Sequence, residues 1–208
     1  MKQDKEFTLT IDGKQVTASE GMTILDAARH ADIDIPTLCN HDKLTPYGAC
    51  RICTVEISKG GRKRLVTSCV YPAEAGLVVK TRTPQIDKYR RLLLELMMAS
   101  SPAKTIKDMA QQQGLTKPRF IAEKTNCILC GQCVRYCNEI KKANAIGFVG
   151  RGIERRVVFF PEIASKVCAS CRECFSLCPT GKLPSETDGV SFDNLSLEDF
   201  LTASHSTQ

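Results

Sequence analysis

The sequence predicts an α+β chain: two cysteine-rich modules with a helical stretch between them. Three observations predict it. Twelve of the 208 residues are cysteines, four from Cys39 to Cys69 and eight from Cys127 to Cys178. Alternating strand-like runs with tight-turn signals dominate as far as Thr81. The eight later cysteines fall into two copies of one spacing. Hydrophobic residues make up 42% of the chain, enough for packed cores, but aromatics are only 6% and tryptophan is absent. Cores so poor in large side chains are small, and thiolate-bound metal can compensate for them.

Residues Phe7 to Ala18 alternate around Asp12-Gly13, a signal for a hairpin with a type I′ turn. Thr23 precedes Asp26 by three, the spacing of a capping box, and Ile24, Leu25, Ala27, Ala28 and Ala31 place an apolar stripe on the helix that follows. Pro36 ends that element and leads to Cys39. Strands are expected at Thr54 to Ile57 and Leu65 to Cys69, about the Gly60-Gly61 turn, and at Leu77 to Thr81. After Pro84 the pattern changes. Ile86, Tyr89, Leu92, Leu93, Leu96 and Met97 recur at helical spacing and read as a packing face. A second helix is expected from about Thr105 to Gln113, closed by Gly114. Ile146 to Val149 and Val157 to Phe160 can pair as a hairpin. The expected boundaries are 1–83, 84–118 for the helical connection, 119–184, and 185–208 for an acidic tail in which Ser196 and Asp199 could cap a short helix.

The polar start, Met1 to Phe7, has no apolar signal core, and no run approaches the roughly 18 apolar residues of a membrane span. A cytoplasmic protein is expected. Thiols stay reduced there, so dense cysteines point to metal rather than to disulfides. The formal charge of +6 counts every cysteine as neutral. An iron–sulfur cluster on four thiolates carries about −2, so three would bring the loaded protein close to neutral. The basic excess therefore reads as compensation, and no nucleic-acid partner is expected.

Cys127, Cys130, Cys133 and Cys137 read C-x2-C-x2-C-x3-C, and Cys168, Cys171, Cys174 and Cys178 repeat it, followed by Pro179. Three cysteines spaced by two can wrap one face of a cubane, leaving the fourth iron to a thiolate from elsewhere. In two-cluster ferredoxins that thiolate comes from the other motif. One [4Fe–4S] cluster is therefore assigned to Cys127, Cys130, Cys133 and Cys178, the other to Cys137, Cys168, Cys171 and Cys174. Structural zinc takes its cysteines in two pairs, whereas each motif here offers three close cysteines plus one. Cys39, Cys50, Cys53 and Cys69 keep the C-x2-C core of plant-type ferredoxins but widen the first gap to ten residues. They supply the two thiolates per iron of one [2Fe–2S] cluster. Gly48 and Ala49 are small, as a loop lying close on a cluster requires. Four plus eight accounts for all twelve cysteines.

The wide C-x10-C-x2-C set carries a family resemblance, together with Cys127-Ile-Leu-Cys130-Gly-Gln-Cys133-Val-Arg-Tyr-Cys137, Phe148-Val-Gly-Arg-Gly152 and Cys178-Pro-Thr-Gly181. From about Phe7 to Leu183 the chain resembles the N-terminal region of the large iron–sulfur subunit of respiratory complex I. It also resembles the small diaphorase subunit of NAD-linked hydrogenases and related formate dehydrogenases. The resemblance implies a β-grasp [2Fe–2S] domain, a helical middle and a two-[4Fe–4S] ferredoxin domain. Two departures stand out. The family's middle segment usually holds a further cluster on one histidine and three cysteines, but Ala99-Ser-Ser-Pro-Ala-Lys has neither residue type. Gly131 follows the second cysteine of its motif as the family has it, whereas Arg172 stands at the matching place; it is expected to face solvent.

His30, His41 and His205 are isolated and read as surface or supporting residues. The Lys59, Arg62, Lys63, Arg64 turn and the Arg151, Arg155, Arg156 group read as solvated turns. No dinucleotide fingerprint, Walker loop or nucleophile arrangement occurs, so neither bound flavin or nucleotide nor independent turnover is expected. The expected role is an electron-transfer subunit between a flavin- and NAD(P)-binding subunit, facing the [2Fe–2S] domain, and a second redox subunit. Any molybdopterin-type unit is expected on a separate polypeptide. The alternatives are a freely diffusing ferredoxin-like carrier, which would usually be strongly acidic, and a zinc-stabilised interaction module.

Overall fold

The computed structural model describes residues 5–121 and 125–183. The acidic tail, its Ser196 cap and His205 lie outside them. Strand β1 (Glu6–Ile11) pairs antiparallel with β2 (Lys14–Ser19), with Ile11 opposite Lys14. The two intervening residues, Asp12 and Gly13, have φ of 48° and 84°, the positive pair that a type I′ turn requires. Helix α1 (Ile24–His30) opens with the reciprocal cap: Asp26 N donates to Thr23 Oγ1 at 3.2 Å and Thr23 N donates to Asp26 Oδ2 at 2.9 Å. Strands β3 (Thr54–Lys59) and β4 (Arg62–Thr67) form a second hairpin, and β5 (Val78–Lys80) completes the sheet in the order β2-β1-β5-β3-β4. β5 runs parallel to β1 and antiparallel to β3. This mixed sheet with α1 is the β-grasp arrangement.

Alternation decides which face is covered. Leu9 and Ile11 of β1, Val16 and Ala18 of β2, Val55 and Ile57 of β3 and Val79 of β5 share one core with Ile24, Leu25, Ala27 and Ala28 of α1. Each fully buried Leu, Ile or Val contributes about 1.5–3 kcal/mol relative to exposure.

Helix α2 (Pro84–Ser100) forms as expected, but its covered face is rotated from the expected one. Ile86, Arg90, Leu94 and Met98 are buried at every fourth position, whereas Leu92 and Leu96 are exposed. An arginine occupies the second place of the buried row, so the true face looks interrupted and the neighbouring Leu row looks continuous. Helix α3 (Lys104–Gln112) ends at Gly114, whose φ is 72°. Gly114 N bonds Gln111 O and Leu115 N bonds Ala110 O, the pair of a Schellman motif.

Beyond Asn126, α4 (Gln132–Glu139), the antiparallel hairpin β6 (Ile146–Val149) and β7 (Arg156–Phe159), and α5 (Pro161–Cys171) follow. Neither helix follows from the sequence pattern, because cysteines at ligand spacing read as loop and mask the short helical turns that carry them. The chain divides into two compact units. One holds the described residues to Asn40 with Pro46–Leu96 and Met109–Lys117; the other holds His41–Thr45, Met97–Asp108 and the described residues from Pro118. Thr23→Ala removes the side-chain acceptor of the α1 cap, leaving Asp26 N without Thr23 Oγ1, and should cost about 1 kcal/mol. A lower urea midpoint for the unit containing the five-stranded sheet, followed by amide exchange at Ala27 and Ala28, would register it.

Candidate metal centres

All twelve cysteines are free thiols. In the β-grasp unit Cys39, Cys50, Cys53 and Cys69 are all buried. Cys39 follows Pro36 out of α1, Cys50 and Cys53 close the loop that enters β3, and Cys69 leaves β4. Gly48 turns that loop with a φ of 69°, and a Cβ there would meet Val70 Cγ1 at 3.2 Å. Arg51, between the cysteines, is also left-handed (φ 61°) and its guanidinium donates to Thr67 Oγ1 at 2.8 Å.

The four sulfurs interact. Hydrogen bonds from the Cys50 and Cys69 thiols, working against burial, hold Cys39 far below the ordinary thiol range. Cys69 does the same for Cys53. The donors themselves, Cys50 and Cys69, are driven up by those bonds and by burial. Cys50 N also donates to Cys39 Sγ at 3.4 Å. Buried sulfurs this close oppose one another's ionisation, and ionising all four needs positive charge among them. An all-thiolate donor set of this kind fits an iron–sulfur group.

The second unit builds two cavities of nearly equal size, about 350 and 370 Å³ with their open mouths. Cys137, Cys168, Cys171 and Cys174 line the first, with Ile146, Phe159 and Phe175. Cys127, Cys130, Cys133 and Cys178 line the second, with Val157 and Thr180. Each cavity therefore receives three cysteines from one motif and the last cysteine of the other. Helical geometry produces the exchange: Cys133 and Cys137, one turn apart on α4, open onto different cavities, and Cys168 and Cys171 end α5 against the first. Hydrogen bonds tie the two motifs together, since Thr180 Oγ1 donates to Asn126 O at 2.8 Å and Lys182 Nζ to Thr125 O at 2.8 Å.

Local electrostatics match this sorting. Burial, then the Cys137 and Cys171 charges, raises Cys168 to about 11. Burial, with Cys168, Cys137 and Cys171 behind it, raises Cys174 to about 12. Burial also pushes Cys133 up, followed by Cys130 and Cys174. At Cys178 burial is outweighed by the Thr180 hydroxyl and by the backbone N–H groups of Leu183, Thr180 and Lys182, so its thiol is lowered. Backbone N–H groups face other sulfurs as well: Leu129 N reaches Cys127 Sγ at 3.4 Å and Ala145 N reaches Cys137 Sγ at 3.2 Å. Among the described residues, no three His, Cys, Asp or Glu side chains meet at a single-ion position. In the second unit the eight sulfurs line the two cavities, four to each.

Sequence reasoning missed the roof of these cavities. Val157 and Phe159, two apart on β7, lie on one strand face and cover one cavity each; the period-two spacing of the hairpin was the available signal. It also missed Tyr136, whose hydroxyl donates to Glu173 at 2.7 Å while Glu173 pairs with Lys141. Arg172 is exposed, in keeping with the expectation that it faces solvent, yet it borders the first cavity as the left-handed cap of α5 (φ 44°). His41 stacks edge-on to Tyr136 with centroids 6.4 Å apart, and His30 Nδ1 donates to Asp26 O. The basic turns are exposed, with Lys59 on Glu74 and Arg155 over the Phe148 ring.

Comparison with known proteins agrees with both units. Residues 4–84 match the 2Fe-2S iron–sulfur cluster binding domain, and residues 126–182 match the 4Fe-4S dicluster domain. The chain is an iron–sulfur protein of the electron-transferring class, with one domain for a [2Fe–2S] cluster and one for two [4Fe–4S] clusters. It is similar to subunits of NADH- and NADPH-linked oxidoreductases. It is 34% identical to NADP-reducing hydrogenase subunit HndD of Solidesulfovibrio fructosivorans, over 85% of this chain and 36% of that one. It is 31% identical to the mitochondrial NADH-ubiquinone oxidoreductase 78 kDa subunit of Neurospora crassa, over 87% of this chain and 28% of that one. The chain thus spans about a quarter to a third of these relatives. A chain in the crystal structure of an NAD+-reducing [NiFe]-hydrogenase superposes with a TM-score of 0.66 at 29% identity, covering 74% of each.

Gly48→Ala should destabilise the β-grasp unit by about 1–2 kcal/mol, because an alanine at φ 69° is strained. A lowered thermal midpoint with an unchanged second unit is the expected reading.

Proposed function

We propose that this chain is the electron-transfer subunit of a multisubunit cytoplasmic oxidoreductase. It would stand between a flavin- and NAD(P)-binding subunit and a second redox subunit, binding no flavin or nucleotide of its own. Cys39, Cys50, Cys53 and Cys69 hold one [2Fe–2S] cluster. Cys127, Cys130, Cys133 and Cys178 hold one [4Fe–4S] cluster, and Cys137, Cys168, Cys171 and Cys174 the other. When bound, such clusters take up and release one electron at a time without making or breaking substrate bonds. The chain's own residues bury the sulfurs, direct backbone N–H groups at Cys39, Cys127 and Cys137, and screen the cavities from water with Val157, Ile146 and Phe159.

The observation that carries this reading is the sorting of eight cysteines into two cavities, each completed by the other motif. The [2Fe–2S] assignment draws on the buried, hydrogen-bonded tetrad of the first unit. The partner assignment draws on the relatives, which by name are subunits of an NADP-reducing hydrogenase and of an NADH-ubiquinone oxidoreductase. The cytoplasmic assignment draws on the need of twelve free thiols for a reducing compartment. Among the described residues no helix is long and apolar enough to cross a membrane.

Anaerobically purified protein should contain about 10 Fe per chain with matching acid-labile sulfide. It should co-purify stoichiometrically with a flavoprotein; elution alone would indicate a diffusing carrier. Zinc without sulfide would end the proposal. Cys178→Ala should remove the cluster of Cys127, Cys130 and Cys133, and Cys137→Ala that of Cys168, Cys171 and Cys174. Each should leave about 6 Fe if an unsupported cubane is lost whole.

A further inference from the structure

Arg90 lies in the middle of the buried row of α2 and is only 3% exposed. A buried guanidinium is costly unless its donors and its charge are both answered. Its donors are answered by the loop that carries Cys53. Arg90 Nε donates to Ile52 O at 3.0 Å and Nη2 to Thr54 O at 2.9 Å, so the fork grips the carbonyls on both sides of the cysteine. The carbonyl between them, Cys53 O, accepts from Ser68 N at 3.2 Å and Ser68 Oγ at 2.8 Å. Arg51 O accepts from Thr54 N at 3.2 Å and Thr54 Oγ1 at 2.7 Å. Four successive carbonyls, from Arg51 to Thr54, are therefore turned onto protein donors.

The charge of Arg90 is not answered by a carboxylate in contact. Among the described residues none forms an ion pair with it. Asp87, nearly one turn earlier on α2 and itself paired with Arg82 at 3.2 Å, is the foremost charge attracting it; Cys53 and Asp34 follow. Its bonds to Ile52 O and Thr54 O set the guanidinium against the segment that carries Cys53, one of four buried cysteines. A [2Fe–2S] group on those sulfurs carries about −2 and becomes more negative by one on reduction.

We infer that Arg90 is the protein's buried counter-charge to the [2Fe–2S] group and a positioning residue that holds its reduction potential up. The inference rests on the proposed ligation by Cys39, Cys50, Cys53 and Cys69. A fixed cation next to a centre that gains negative charge stabilises the reduced form more than the oxidised one. The carbonyl grip fixes where that cation sits against the Cys53 segment. A lysine at this place would keep the charge and lose the fork. A glutamine would lose the charge.

The test is a potentiometric titration of the full chain, purified anaerobically, with each cluster followed by its own paramagnetic signal on reduction. R90Q should reduce less readily. At a fixed ambient potential its ratio of reduced to oxidised [2Fe–2S] should fall about tenfold, equivalent to about 59 mV for a one-electron couple. Both [4Fe–4S] midpoints should stay in place, and R90K should titrate with the wild type. If R90Q does not retain the cluster, R90K decides. An unmoved midpoint supports the inference, and a lowered midpoint or a lost cluster overturns it. An unmoved R90Q, or an R90K that falls as far as R90Q, overturns it too. A wild type with no [2Fe–2S] signal at all would instead remove the ligation on which it rests.

Discussion

Confining many thiolates in a small volume is the constraint to which the rest of this chain answers. Twelve cysteines sit in three sets, nine of them buried, and each set gathers negative charge wherever its sulfurs ionise. Water screens little of that charge. In the first set the hydrogen bonds among the sulfurs lower Cys39 and Cys53 and, with burial, raise Cys50 and Cys69. In the second unit Cys133, Cys168 and Cys174 are raised mainly by burial, then by their neighbours. Such sets are frustrated as they stand, and cations among the sulfurs relieve them. The excess of lysine and arginine over acid, 29 against 23, answers the same charge at longer range.

The backbone is shaped by the same demand. Left-handed residues recur beside the ligands: Gly48 and Arg51 near Cys50, Leu129 and Gly131 around Cys130, Arg172 after Cys171. Each reverses the peptide orientation locally, which lets N–H groups face sulfur and carbonyls face away. For Leu129 and the two arginines this costs conformational energy that glycine would avoid. The cost is tolerable where neighbouring bonds fix the loops. Arg51 is held by Thr67, and the Cys53 segment by Arg90 and Ser68.

How much of this was legible depends on whether a rule of spacing applied. The hairpin at Asp12-Gly13, the Thr23–Asp26 cap and the Gly114 stop are local, and each was readable from two or three residues. The grouping of the eight later cysteines was argued from the chemistry of a cubane, which demands a fourth ligand that its own triplet cannot supply. The face of α2 was not legible. Its buried row includes Arg90, and hydrophobic patterning treats an arginine as a break. The row of Leu92 and Leu96 then looks better while pointing outward. The roof formed by Val157 and Phe159 was hidden for another reason. Alternation showed a strand face, but nothing local says what lies beneath it.

The two units also differ in how far they depend on their ligands. In the β-grasp unit sixteen buried residues form the core and only Cys53 and Cys69 among them are cysteines; sheet and α1 carry most of the rest. In the other unit four of the eleven buried core residues, Cys133, Cys137, Cys168 and Cys174, are themselves proposed ligands. Among its described residues the sheet is a single two-stranded hairpin, and a lone hairpin is marginally stable in water. Removing the metal from the first unit would leave an aliphatic core beside an awkward loop. Removing it from the second would take away the cross-links around which the core is built. Binding free energy is then folding free energy. With the proposed ligation, the repeated C-x2-C-x2-C-x3-C spacing serves two ends with the same atoms, fixing the sites for electron transfer and closing the core of the unit.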